Sequence, residues 1–77
     1  MIIKMYTTPF CKYCKVAKEF FISKGLEFIE IDITKDQLAM KEMIRKSSQM
    51  AVPVFDIGGQ ILVGFNRVKI QRALKVA

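Results

Sequence analysis

Cys11 and Cys14 are the only cysteines of the 77-residue chain; Lys12 and Tyr13 separate them by one helical turn, just after an apolar, strand-like run. A pair at this spacing can move two electrons without a cofactor. A thiolate at Cys11 attacks a disulfide in another molecule, and Cys14 is near enough to displace the mixed disulfide and close an internal one. Other uses of the pair fit less well. Two sulfurs do not complete a tetrahedral zinc site, and with no histidine in the sequence the missing ligands would come from carboxylates or from a second copy. A purely structural disulfide gains little from closing so short a loop. Two buried, inert thiols disagree with the polar tips of Lys12, Tyr13 and Lys15, which argue for an exposed helix start.

The surrounding patterns say what must position the pair. Ile2 to Tyr6 reads as a buried strand, and Thr7-Thr8-Pro9-Phe10 as the turn into a helix from about Cys11 to Lys24. On that helix Ala17, Phe20 and Phe21 share a face with Cys14, Lys15, Lys18 and Glu19 lie outward, and Gly25 supplies a left-handed cap. Glu27 to Asp32 alternates as a second strand. Thr34 or Asp36 caps a helix to about Lys46, with Leu38, Met43 and Ile44 expected inward. Val52 to Ile57 and Gln60 to Val63 flank Gly58-Gly59, a tight-hairpin signal. Asn66 then caps a last helix with Ile70, Ala73 and Leu74 inward. The order is strand, helix, strand, helix, strand, strand, helix. A helical crossover makes the first two strands parallel and the glycine hairpin makes the last two antiparallel, so an α/β fold with a mixed four-stranded sheet and helices on both faces is expected. The cysteine motif then falls where a strand hands over to a helix. The free amides and positive end of that helix, with Lys12 and Lys15, favour a thiolate at Cys11, while Cys14 is the more buried, resolving sulfur.

Length and composition bound the class. The chain reads as one domain spanning residues 1–77, and its hydrophobic fraction of 52% indicates a packed core rather than a disordered segment. Met1 leads straight into Ile2-Ile3 without the marks of a signal peptide, and no apolar run is long enough for a membrane span. A cytoplasmic, reducing setting is the expectation, and there a close cysteine pair is more often catalytic than structural. The net charge of +6 is scattered over several elements without a stacking platform of aromatics, so nucleic-acid binding is not favoured. Steering of acidic proteins or an anionic thiol explains the charge more simply.

Met5 to Cys14, then Ala51-Val52-Pro53-Val54-Phe55, Gly58-Gly59 and Val63-Gly64-Phe65-Asn66, in that order, resemble the thioredoxin-fold glutaredoxins over nearly the whole length. The resemblance implies a thioredoxin fold, βαβαββα, and a thiol-disulfide oxidoreductase with Cys11 as nucleophile and Cys14 as resolving thiol. It implies a cis peptide before Pro53, facing the cysteines, with the backbone of Val52 offered to an extended substrate. Unaided, the sequence says only that a proline at a strand start is permitted. By the same likeness Lys12 and Tyr13 shape the rim, and Thr8, Val52, Pro53, Gly64, Phe65 and Asn66 line the partner groove.

The likeness divides over the electron donor. Many glutaredoxins hold glutathione with a lysine or arginine three residues before the first cysteine and an acidic pair after the glycine that follows the fourth strand. This chain has Thr8 at the first place and Phe65-Asn66-Arg67 after Gly64. Tyr13 matches the glutaredoxin tyrosine, whereas Gly64-Phe65 is closer to the NrdH-redoxins, which supply ribonucleotide reductase and are reduced by thioredoxin reductase. The expectation is a monomeric carrier with no bound cofactor that reduces protein or small-molecule disulfides, with glutathione, as co-substrate, or thioredoxin reductase as donor. The alternative is a carrier or sensor in which Cys11 of two copies holds an iron-sulfur cluster or another metal.

Overall fold

A computed structural model describes residues 2–76. The elements are β1 (Ile3–Thr7), α1 (Lys12–Ser23), β2 (Ile29–Asp32), α2 (Gln37–Ser47), β3 (Val54–Ile57), β4 (Gln60–Val63) and α3 (Arg67–Val76). The sheet order is β2-β1-β3-β4. β1 runs parallel to β2, with Tyr6 opposite Ile31, and antiparallel to β3, with Tyr6 opposite Val54; β3 and β4 close an antiparallel hairpin. The sheet is mixed, as the element order predicts, and its strand order makes it the thioredoxin fold that the resemblance implies.

Alternation along the strands divides the core in two. Ile3, Met5, Phe55 and Ile57 face α1 and α3, where they bury Ala17, Phe20, Phe21, Ile70 and Ala73. Tyr6 and Val54 face α2, with Ile33 and Met43. The end of α1 is a complete Schellman motif: Gly25, at φ +67°, donates to the Ile22 carbonyl at 3.0 Å and Leu26 donates to Phe21 at 3.0 Å. Asp36, rather than Thr34, caps α2, its carboxylate accepting from the Ala39 amide at 3.0 Å.

The inward face of α2 differs from the sequence expectation. Met43 is buried, but Leu38 is 79% exposed and Ile44 is on the outer side; Ala39 and Met40 pack inward instead. The reason is polar. The seam through Ala39 and Met43 continues to Lys46, whose ammonium bonds Asp56 at 2.7 Å and the Tyr6 hydroxyl at 3.3 Å, while Tyr6 donates to Glu42. A reading that turns every charge outward rotates the helix away from these partners.

That network makes stability depend on pH. Burial pushes the Asp56 carboxyl up, but the Lys46 ammonium and the Gly59 amide outweigh it and hold it below the usual range. Glu42 is also lowered, chiefly by the Tyr6 hydroxyl. Lys46 is raised, first by its bond to Asp56, and Tyr6 is raised, first by burial and then by its bond to Glu42. Depressed carboxylates contribute stability above their unfolded values near 4 and lose it as pH falls through the folded values; the raised Lys46 and Tyr6 contribute below about pH 10 and lose it above. Stability should therefore be flat between roughly pH 5 and 10 and fall on the acid side. Asp56→Asn should cost about 1–2 kcal/mol at pH 7 and flatten the acid limb, since it leaves Lys46 without its main partner. Urea midpoints from acid to neutral pH check this, and parallel limbs for the two proteins would refute it.

Candidate functional site

The turn before α1 aims the pair. Cys11 donates its amide to the Thr8 carbonyl at 3.3 Å, closing a turn with Pro9 at the position its fixed φ suits. Cys11 is then the N-cap of α1, in extended conformation, and its Sγ accepts the Cys14 amide at 3.1 Å. The reactive sulfur thus sits among the unpaired amides of a helix start, where negative charge is favoured. Cys11 and Cys14 form a disulfide with their Cα atoms 5.2 Å apart. Cys14 is 2% exposed and packed against the core, whereas Cys11 is only half-buried. Lys12 and Tyr13 project from the first turn into solvent. So does Phe10, 92% exposed, which the sequence reading placed only in the turn.

On the α2 face the Val52-Pro53 peptide is cis. Pro53 is buried and Val52 half-buried; its carbonyl neighbourhood is fixed by the Gly64 amide, which donates to the Pro53 oxygen at 2.8 Å. Gly64 has φ +79°, a left-handed conformation that a side chain would strain. A small apolar cleft of about 130 Å³ lies here between Thr8, Ile33, Met50 and Val52. Phe65, expected to face a partner, packs its ring edge-on against Phe20 at 5.9 Å and joins the α1 side of the core, leaving only part of it in solvent. Asn66 is exposed, but its side-chain oxygen already accepts the Lys69 amide at 3.1 Å as the cap of α3.

The larger concavity at the cysteines lies on the opposite face and was missed from sequence. About 370 Å³ in volume, it touches both Cys11 and Cys14 and is walled by Lys15 and Lys18 of α1, Glu30 and Asp32 of β2, and Lys35. Thr7 is its buried floor and shares Glu30 with Lys18: the Thr7 hydroxyl lies 3.3 Å and the Lys18 ammonium 3.0 Å from the same carboxylate oxygen. The signal was available in the alternation of β1 and β2, which sends Thr7, Glu30 and Asp32 to one side at the strand ends. Among the described residues no three ligating side chains come together as a metal site, and no helix is long and apolar enough to cross a membrane.

Residues 3–62 match the glutaredoxin family model. The chain is 39% identical over 74 residues to a glutaredoxin-like 8.6 kDa protein in the rubredoxin operon of Clostridium pasteurianum, covering 96% of this chain and 99% of that one. It is 36% identical over 62 residues to glutaredoxin 3 of Escherichia coli K12, covering 80% and 75%. The solved structure of the Escherichia coli NrdH-redoxin, described as a glutaredoxin-like protein with a thioredoxin-like activity profile, superposes with a TM-score of 0.82 at 28% identity, over 94% of this chain and 93% of that one.

Proposed function

The chain belongs to the glutaredoxin family, and from that premise we propose that this dithiol-disulfide oxidoreductase takes electrons from thioredoxin reductase and passes them to disulfides in proteins and small molecules. The observation that carries the reading is the asymmetry of the pair: a half-buried Cys11 at a helix start and a buried Cys14 one turn later. The Cys11 thiolate attacks one sulfur of the substrate disulfide, whose other half leaves as a thiolate. Cys14 then attacks Cys11 Sγ, the second half leaves, and the two protons of the reduced pair end on the two product thiols. Thr8, Val52 and Pro53 form one wall of the groove for the incoming chain, Gly64 with Phe65 and Asn66 the other, and Lys12 and Tyr13 its rim. By likeness to the NrdH-redoxins, ribonucleotide reductase is a target we infer among protein disulfides.

The choice of donor rests on Thr8 and Asn66. A glutathione carboxylate would find a hydroxyl at Thr8 instead of a cation. Its ammonium would find at Asn66 an uncharged amide whose oxygen is already bonded to the Lys69 amide, with Arg67 following. Tyr13 and the likeness to glutaredoxin 3 favour a second reading, with glutathione as donor. The test is NADPH consumption with the oxidised protein and either thioredoxin reductase or glutathione with its reductase. Thioredoxin reductase should support turnover at least roughly tenfold faster, the equivalent of one missing charged contact. The reverse order would establish glutathione as donor and overturn the proposal.

A further inference from the structure

The polar concavity on the α1 face shares Thr8 and Cys11 with the groove just described, but its charged wall, drawn from α1, β2 and Lys35, contains neither Val52 nor Pro53. Its charges are already sorted. Lys18 neutralises Glu30 at 3.0 Å. Among the described residues Lys15, Lys35 and Asp32 have no salt-bridge partner, so the wall presents two cations and one carboxylate around the sulfurs. One oxygen of Asp32 accepts both the amide and the hydroxyl of Thr34, at 2.9 and 2.6 Å, which fixes the carboxylate in place. Those bonds, and then Lys35, keep Asp32 ionised. A volume of about 370 Å³ admits an amino-acid-sized group but no folded chain segment.

Separated charges of both signs beside a reactive sulfur match one ligand class. We propose that this concavity binds the zwitterionic end of a small amino-acid disulfide of the cystine type, its ammonium against Asp32 and its carboxylate against Lys35 and Lys15, with its sulfur delivered to Cys11. The inference rests on Cys11 being the nucleophile. Cys11 thiolate bonds the near sulfur, the disulfide bond of the ligand breaks, and one amino-acid thiolate leaves; closure of Cys11–Cys14 releases the second and leaves the protein oxidised by two electrons. No further reductant is needed for this half-reaction. Docking on the α1 face leaves the Val52-Pro53 wall free for protein substrates.

The experiment is single-turnover oxidation of the pre-reduced protein, followed by alkylation and intact mass, which needs no donor enzyme. Cystine, cystamine, dithiodiglycolate and bis(2-hydroxyethyl) disulfide are compared, each rate divided by its rate with free dithiothreitol to remove intrinsic reactivity. Cystine should exceed each of the other three by roughly tenfold, the scale of a charge-assisted contact. Lys35→Glu should invert the order of dithiodiglycolate and cystamine, and Asp32→Asn should lower the cystine to hydroxyethyl ratio about tenfold. Lys35 makes no side-chain hydrogen bond among the described residues, so its variant leaves in place the Thr34 bonds that hold Asp32. Lys75→Glu, the same change of net charge at the far end of α3, should leave the order intact. Equal normalised rates across the four disulfides, or an inversion by Lys75→Glu as strong as by Lys35→Glu, would overturn the site in favour of general steering. Failure of the parent reading looks different: then none of the four disulfides oxidises the pair faster than free solution chemistry.

Discussion

Cys11→Ser is expected to lower disulfide-reductase turnover by at least about a thousandfold, because a serine hydroxyl at neutral pH supplies almost none of the anion that a thiol supplies. Cys14→Ser should behave differently. The first step survives, so the protein should accumulate as a mixed disulfide with its substrate, visible as an adduct by intact mass and released by dithiothreitol. The contrast follows from position. Cys11 Sγ lies at the helix start, half-open, whereas Cys14 is buried one turn later and bonded to Cys11. Adduct formation by Cys11→Ser with none by Cys14→Ser would reverse the two roles.

Phe21→Ala is expected to remove a large share of the folding stability and to lower the urea midpoint sharply. Phe21 is fully buried, and its ring meets Phe20, Phe28 and Phe55 at centroid distances of 5.9, 5.4 and 5.8 Å. Removing such a side chain costs about 3–5 kcal/mol in lost transfer energy and an unfilled cavity. A domain of this length has only about 4–12 kcal/mol in total. Phe21→Leu keeps most of the volume and should lose less, about 1–2 kcal/mol, with the redox pair still active. Urea unfolding measures both. A Phe21→Ala midpoint close to the parent would mean that this aromatic cluster is not the keystone of the α1 face.

Much of the fold was legible because local and global signals agree. Gly25, Gly58-Gly59 and Asn66 mark the ends of elements by their own conformational or capping chemistry, and the apolar runs at Ile3 to Tyr6 and Val54 to Ile57 mark the two central strands, which are buried on both faces. The Cys11-x-x-Cys14 spacing located the chemistry for the same reason: one turn of helix brings the sulfurs into bonding range. What failed to show was contact between distant polar groups. Nothing near Lys46 in the sequence reveals that Tyr6 and Asp56 wait for it, so the rotation of α2 was set by partners 40 and 10 residues away. The α1-face concavity was hidden likewise. Its floor and walls come from β1, α1, β2 and the following turn, and only their assembly gathers Thr7, Glu30, Asp32 and Lys35 around the cysteines.

The sulfur that begins α1 is also the sulfur that reacts, and this double duty sets activity against endurance. Serine is among the best residues for closing the first turn of a helix, and a thiol is a weak acceptor in the same place. Among fully reduced chains, the catalytically dead Cys11→Ser form is therefore the better-capped one. A search for heat-resistant variants that ignored turnover would drift toward losing the nucleophile, so the cysteine persists at this position only as long as its chemistry is required.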